Sequence, residues 1–356
     1  MTTPITAQQV LQRLDENQIR HATLSLQNGL FVILSERGGR VFGPFLSPEG
    51  ESIFWMNEAF ADADAFRAFL ASGDWNMGGE RIWVSPEIQY SVRDRTDFFG
   101  SIRIPWQMDP GEQFLSPAGE NRWRISQNLL LEAHNLATGP KQLRLDKWIE
   151  PVDDPLRNLR AYDALRGEVI FAGYQQRVRI EETRSDAIAS EAWDLVQIRP
   201  GGHILIPTSP HPEYEDYFAP VDAEHLNIEP WGMRLTISGR KQYKIGVQSA
   251  QTFGRLGYLN RLEDGRAYLI IRNYFNNPSA HYAEEPPALP GRNGFSIHIY
   301  NDDGGLGGFG ELEVNGQTIG GDSGRSANVD TFVLWFYLGA PDFIQQIASL
   351  LLGVSI

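Results

Sequence analysis

What most narrows the fold of this chain is a long succession of strand-like segments with almost no helical pattern between them. Apolar–polar alternation, or β-branched and aromatic runs, occupies 22–34, 123–133, 141–150, 168–181, 195–206, 233–247, 267–274, 295–301, 310–314 and 331–338. Gly, Pro, Asn or Asp punctuates the gaps. Only three stretches predict helices. They are 6–17, with Val10, Leu11 and Leu14 on one face; 57–72, with Phe60, Phe66, Phe69 and Leu70 behind an Asn cap; and 341–353, opened by Pro341. Strands that follow strands without helical crossovers pair antiparallel and stack face to face. The expected class is therefore all-β with a few short helices, arranged as a large antiparallel β-sandwich. A length of 356 would suggest about two domains, but the 35 Gly and 21 Pro are spread along the chain and mark no linker. Residues 1–356 read as one domain.

Charge and cysteine content exclude whole classes of function. Lys+Arg 31 against Asp+Glu 45 gives 31 − 45 = −14, a field that repels nucleic acid and anionic membranes. With no cysteine, disulfides, thiolate nucleophiles and Cys-type zinc sites drop out. The histidines show no metal-ligand spacing, so no metal and no cofactor are expected. The N-terminal segment lacks the basic and apolar blocks of an export signal, and no apolar run reaches the ~18–20 residues of a bilayer span. The expected location is cytoplasmic, the expected partner a small molecule, with the oligomeric state left open.

Three segments can carry chemistry. In Asp74-Trp75-Asn76-Met77-Gly78-Gly79-Glu80-Arg81-Ile82-Trp83-Val84-Ser85-Pro86-Glu87, flat tryptophan faces lie beside Asn76, Arg81 and Glu87. A sugar offers an apolar C–H face and a rim of hydroxyls to such a set; a turn with two core tryptophans is the alternative. In Gly173-Tyr174-Gln175-Gln176-Arg177, alternation separates Tyr174 and Gln176 from Gln175 and Arg177. One set can line a cavity, or the strand can simply present a solvated face. In Phe309-Gly310-Glu311-Leu312-Glu313 the two carboxylates share a strand face. In a concave site their like charges would raise one pKa and yield a general base; facing water they only solubilise. Asn301-Asp302-Asp303-Gly304-Gly305 reads as a tight turn rather than a calcium loop.

Together with Gly38-Gly39-Arg40, Phe171-Ala172-Gly173, Asp216-Tyr217-Phe218, Lys244-Ile245-Gly246 and Tyr300-Asn301-Asp302, these segments resemble an uncharacterised branch of the galactose-mutarotase-like superfamily, which includes the aldose 1-epimerases. The likeness covers roughly residues 25–340. It implies a galactose-mutarotase-like supersandwich with a concave sugar cleft on one sheet. It also implies that Glu313 removes the anomeric proton, with Glu311 as its neighbour. Trp75, Asn76, Arg81, Trp83, Glu87, Tyr174, Gln176, Arg177, Tyr217 and Lys244 are the expected sugar-binding residues. The epimerase motif Asn-His-x-Tyr-Phe-Asn is absent, and Arg272-Asn273-Tyr274-Phe275-Asn276 lacks its histidine and comes late. The epimerase pattern calls for an acid, and His211 is the candidate for it from its loop position. The leading expectation is a carbohydrate-binding protein with aldose 1-epimerase-like isomerase activity. The alternatives are a non-catalytic sugar-binding or regulatory module, or a polysaccharide lyase or glycoside hydrolase on the same scaffold.

Overall fold

The computed structural model describes residues 4–184 and 188–355. Among the described residues nineteen strands, numbered in chain order, form two sheets in which every neighbouring pair runs antiparallel. The first sheet has the order β1 (His21–Ser25), β2 (Phe31–Ser35), β3 (Val41–Phe45), β4 (Glu80–Ser85), β9 (Glu191–Ile198), β18 (Gly310–Asn315), β17 (Phe295–Asn301), β14 (Tyr243–Gln248), β11 (Tyr214–Asp216). The second runs β12 (Leu226–Glu229), β13 (Gly232–Thr236), β10 (His203–Pro207), β15 (Arg255–Arg261), β16 (Ala267–Tyr274), β19 (Ala327–Gly339), β8 (Val169–Glu182), β7 (Gly139–Pro151), β6 (Arg122–Ala133), β5 (Gln113–Gly119). This is the large antiparallel β-sandwich that the strand-rich pattern anticipates.

Alternation sets the layers. Leu312 and Val314 of β18, Ile297 and Ile299 of β17, and Ile245 and Val247 of β14 point between the sheets, against Val178, Ile270, Leu334 and Phe336 of the second sheet. Each such fully buried side chain stabilises the fold by about 1.5–3 kcal/mol relative to exposure.

The helices lie outside this core. Ala7–Glu16 starts with a capping box between Thr6 and Gln9, and Val10 and Leu14 bury against Phe42, Phe45 and Phe60. The predicted 57–72 helix is two pieces: Asn57 caps only the short turn Glu58–Ala61, and Asp62 then caps Ala63–Ser72 by accepting from the Asp64 and Ala65 amides. A second acceptor at Asp62 ends one hydrogen-bond ladder and opens the next. Pro341–Leu352 lays Ile344, Ile347, Ala348 and Leu351 onto Leu269, Ile271 and Tyr337 of the second sheet's outer face. Among the described residues no helix is long and apolar enough to cross a membrane. On the first sheet's outer face, the Ala7–Glu16 helix covers Ile33 of β2 and Phe42 of β3.

Candidate functional site

Register brings the site together. Glu313 pairs with Leu195 of β9 on one side and His298 of β17 on the other, and Leu195 pairs in turn with Arg81 of β4. One step along, Glu311 sits between Gln197 and Tyr300, and Tyr300 pairs with Lys244 of β14. Directly paired residues share a face. Their neighbours Glu80, Asp194 and Leu312 point toward the second sheet, so Arg81, Glu311, Glu313, His298, Tyr300 and Lys244 all stand on the outer face. Gly78 and Gly79 let β4 start there. Both have positive φ, and a Cβ would meet the Trp55 carbonyl at 2.5 Å from Gly78 and the Val41 carbonyl at 2.5 Å from Gly79.

Two cations, Lys244 and Arg81, organise this face. Lys244 Nζ lies 2.9 Å from Glu87 Oε2 and 3.2 Å from Glu313 Oε2. Trp193 Nε1 donates to the same Glu313 oxygen at 3.1 Å, and its ring centroid is 4.7 Å from the Lys244 ammonium. The Arg81 guanidinium lies 2.8 Å from Glu311 Oε1 and is stacked 4.0 Å from Trp83 and 5.0 Å from Trp75. The Trp83 indole is held by Asp109 Oδ2 at 3.0 Å, which also pairs with Arg40. Tyr217 hydroxyl and His298 Nε2 share a hydrogen bond of 2.9 Å. Glu313 and Arg81 are each 1% exposed, yet Glu313 Oε1 and the Arg81 Nε and Nη1 atoms have no hydrogen-bond partner among the described residues. Leaving such groups unpaired costs ~1–3 kcal/mol each, a cost that a ligand with hydroxyls would relieve.

The electrostatics single out Glu313. Burial, reinforced by Glu311 and Glu87 and opposed by Lys244, pushes its carboxyl up to about 7. Burial, opposed by Lys244 and reinforced by Glu87, holds Glu284 well above the carboxylate range, and Glu284 accepts the Glu87 amide. Burial lowers His298, and Lys244 adds to the effect, so the imidazole is neutral. Burial alone would lower Lys244, but Glu313, Glu87 and Glu284 together raise it, so it stays an ammonium.

Of the residues singled out in the sequence, Trp75, Arg81, Trp83, Glu87, Tyr217, Lys244, Glu311 and Glu313 gather here. Asn76 stands at the edge, accepting from Gln197 Nε2 at 2.9 Å and donating to the Leu306 carbonyl at 2.7 Å. Four residues lie elsewhere. Tyr174 and Gln176 project between the sheets, where both donate to Glu80, because their face of β8 is the core face. Arg177, on the opposite face of β8, is exposed on the second sheet with its guanidinium 4.9 Å from the Trp148 ring. His211 is exposed at φ 58° on the turn before β11, its carbonyl accepting from Gln251. It has no contact with Glu313, so a His211→Ala variant should leave any ligand affinity and turnover of the Glu313 face within twofold of wild type, measured by calorimetry and NMR exchange.

Trp193, His298 and Glu284 complete the site and were not legible beforehand. In sequence His298 is only a strand residue, packed or exposed; the β17–β18 register places it beside Glu313. The 301–305 segment is the expected turn, with Asp302 Oδ2 accepting the amides of Gly304, Leu306 and Gly308. Arg272 of the late Arg-Asn-Tyr-Phe-Asn string is a buried core ion, paired with Glu80 and Asp194.

A known structure shares the fold. An aldose 1-epimerase candidate from Escherichia coli K12 superposes with a TM-score of 0.52 at 10% identity, over 89% of this chain and 99% of that one. A galactose mutarotase-like protein from Lactobacillus casei ATCC 334 gives 0.46 at 10% identity, over 90% and 99%. Identities this low speak to architecture alone. No curated protein matches the chain in sequence. A family profile does match, over residues 8–356, and on that match the chain belongs to the family of unknown function DUF6786.

Proposed function

We propose that the outer face of β4, β9, β18, β17 and β14 binds an uncharged sugar and interconverts its anomers, with Glu313 as general base. One observation carries this reading: a buried carboxyl titrating near 7, with one oxygen held by Trp193 and Lys244 and the other unpartnered. A base working at neutral pH needs a pKa near 7. Glu313 takes the proton of the anomeric hydroxyl. The ring C–O bond then breaks, and the Lys244 ammonium donates to the departing ring oxygen in place of a histidine. Rotation about C1–C2 and reclosure, with the protons returned, gives the other anomer. Arg81 and Glu311 orient hydroxyls, while Trp75 and Trp83 offer apolar faces.

The charge balance argues for a neutral ligand. Arg81 pairs with Glu311 and Lys244 with Glu87, while Glu284 is held protonated. A uronate or sugar phosphate would meet no spare cation, which weighs against a lyase of acidic polysaccharides. NMR exchange spectroscopy on a panel of free aldoses tests the activity: wild type should accelerate anomer exchange of at least one sugar, and Glu313→Gln should lose that acceleration by about 10²–10⁴-fold. No acceleration above buffer for any sugar would sink the catalytic reading.

A firmly protonated Lys244 is a reluctant acid, and that observation supports a second reading, a sugar-binding module without turnover. Saturable binding by calorimetry, weakened by Trp75→Ala and unaccompanied by exchange, would select it.

A further inference from the structure

A cavity of about 540 Å³ shares no residue with the Glu313 face. It lies against the outer side of β6, walled by the segment that follows the short helix Glu87–Tyr90. Its lining includes Arg93, Arg103, Trp106, Leu130, Glu132 and His134. We propose that this cavity is a binding site for a small organic anion, a phosphate monoester attached to a flat ring.

Three features support the assignment. First, the volume falls within the ~300–1,000 Å³ of sites that enclose small ligands. Second, the cavity holds uncommitted positive charge in a chain of net charge −14. Among the described residues the Arg93 side chain has no ion-pair or hydrogen-bond partner, and the Arg103 guanidinium reaches only the carbonyl of its chain neighbour Ile102. By contrast, Arg40, Arg81, Arg95, Arg124 and Arg272 are all committed to carboxylates. Glu132 is the one carboxylate in the lining, exposed and without a described partner, so two guanidiniums face one acid, 2 − 1 = +1, His134 left out of the count. A planar guanidinium matches phosphate in a two-pronged fork, and its charge cannot be titrated away near neutral pH.

Third, the cavity presents apolar surface where water would otherwise disfavour it. Trp106 and Leu130 are each 54% exposed, and Ile104 and Pro105 flank them. Large exposed aromatics beside convergent polar groups mark recognition surfaces. An indole face favours a flat ring, and the arginines fix the anion beside it. Free phosphate would leave Trp106 unused, and an uncharged aromatic would leave the arginines unused.

Titration calorimetry of the intact chain with phenyl phosphate, inorganic phosphate and phenol separates these contributions. Phenyl phosphate should bind saturably and tighter than either fragment, with affinity falling as salt rises. Arg103→Ala should weaken phenyl phosphate and inorganic phosphate alike, by about tenfold or more. Trp106→Ala should weaken phenyl phosphate by about two- to tenfold and leave inorganic phosphate unchanged. Both side chains are exposed, so both variants should keep the wild-type melting temperature. The proposal is overturned if phenyl phosphate binds no tighter than phenol, if neither variant changes its affinity, or if no saturable binding occurs below millimolar concentration. None of these outcomes bears on Glu313, so the sugar site stands or falls separately.

Discussion

Replacing Glu80 by alanine should destabilise the chain by about 3–5 kcal/mol and lower its urea midpoint more than any substitution on the proposed sugar face. Glu80 is the first residue of β4, and its side chain points between the sheets into a closed polar cluster. It accepts from Tyr174, from Gln176 Nε2 at 2.6 Å and from Arg272, while Arg272 Nε also lies 3.1 Å from Asp194 Oδ2. Burial alone would lower Arg272; Asp194 and Glu80 raise it instead, so the guanidinium is charged inside the core. Removing Glu80 leaves that cation short of a counter-ion and strands two further donors, Tyr174 and Gln176, without their acceptor. Glu80→Gln keeps the shape and one acceptor oxygen, so it should cost less than the alanine variant. A loss below 1 kcal/mol for Glu80→Ala, measured by urea unfolding at pH 7, would mean the cluster is wet and the charge solvated.

The same cluster explains what the sequence could and could not disclose. Alternation on β8 correctly separates Tyr174 and Gln176 from Arg177, but period two cannot say which face is the cleft. Here one face is the inter-sheet core and the other is solvent, and neither is the Glu313 face. Glu311 and Glu313 were legible as a same-face pair for the same local reason. Their outward direction depends on Leu312 and Val314 facing the second sheet, which only packing decides. Arg81, Trp83 and Glu87 were found because the glycine-flanked motif delivers them within a few residues of each other. Lys244 and Tyr217 entered through family resemblance. Trp193 and His298 carry no local signal at all; they join the site by cross-strand register with segments more than a hundred residues distant in the case of Trp193. His211 shows the converse error, a loop position mistaken for access to a cleft, when the turn before β11 is exposed and bonded to Gln251 through its backbone alone.

Glu313→Gln should abolish anomer exchange and, above neutral pH, stabilise the protein. In the unfolded chain the carboxyl titrates at its ordinary 4.5; in the folded one burial moves it to about 7. Between those values the native state binds more protons than the unfolded state, so the contribution of this group to stability declines as pH rises through the window and stays low above it. The separation corresponds to about 3 kcal/mol at full ionisation, reduced in the variant because Lys244 also loses one of its two anionic neighbours. Gln at 313 carries no charge to bury and can still accept from Trp193 Nε1. Its unfolding free energy should therefore exceed wild type by about 2 kcal/mol at pH 8.5, converge toward wild type as pH falls to 5, and show no gain at pH 4. Wild-type turnover should follow the opposite course, rising through pH 7 as Glu313 ionises and then levelling. A residue that destabilises the fold where it is catalytically competent is hard to reconcile with a purely structural role. A variant less stable than wild type at pH 8.5 would instead show that the Lys244–Glu313 pair outweighs the burial cost, and the base would have to be sought at another carboxylate of the face.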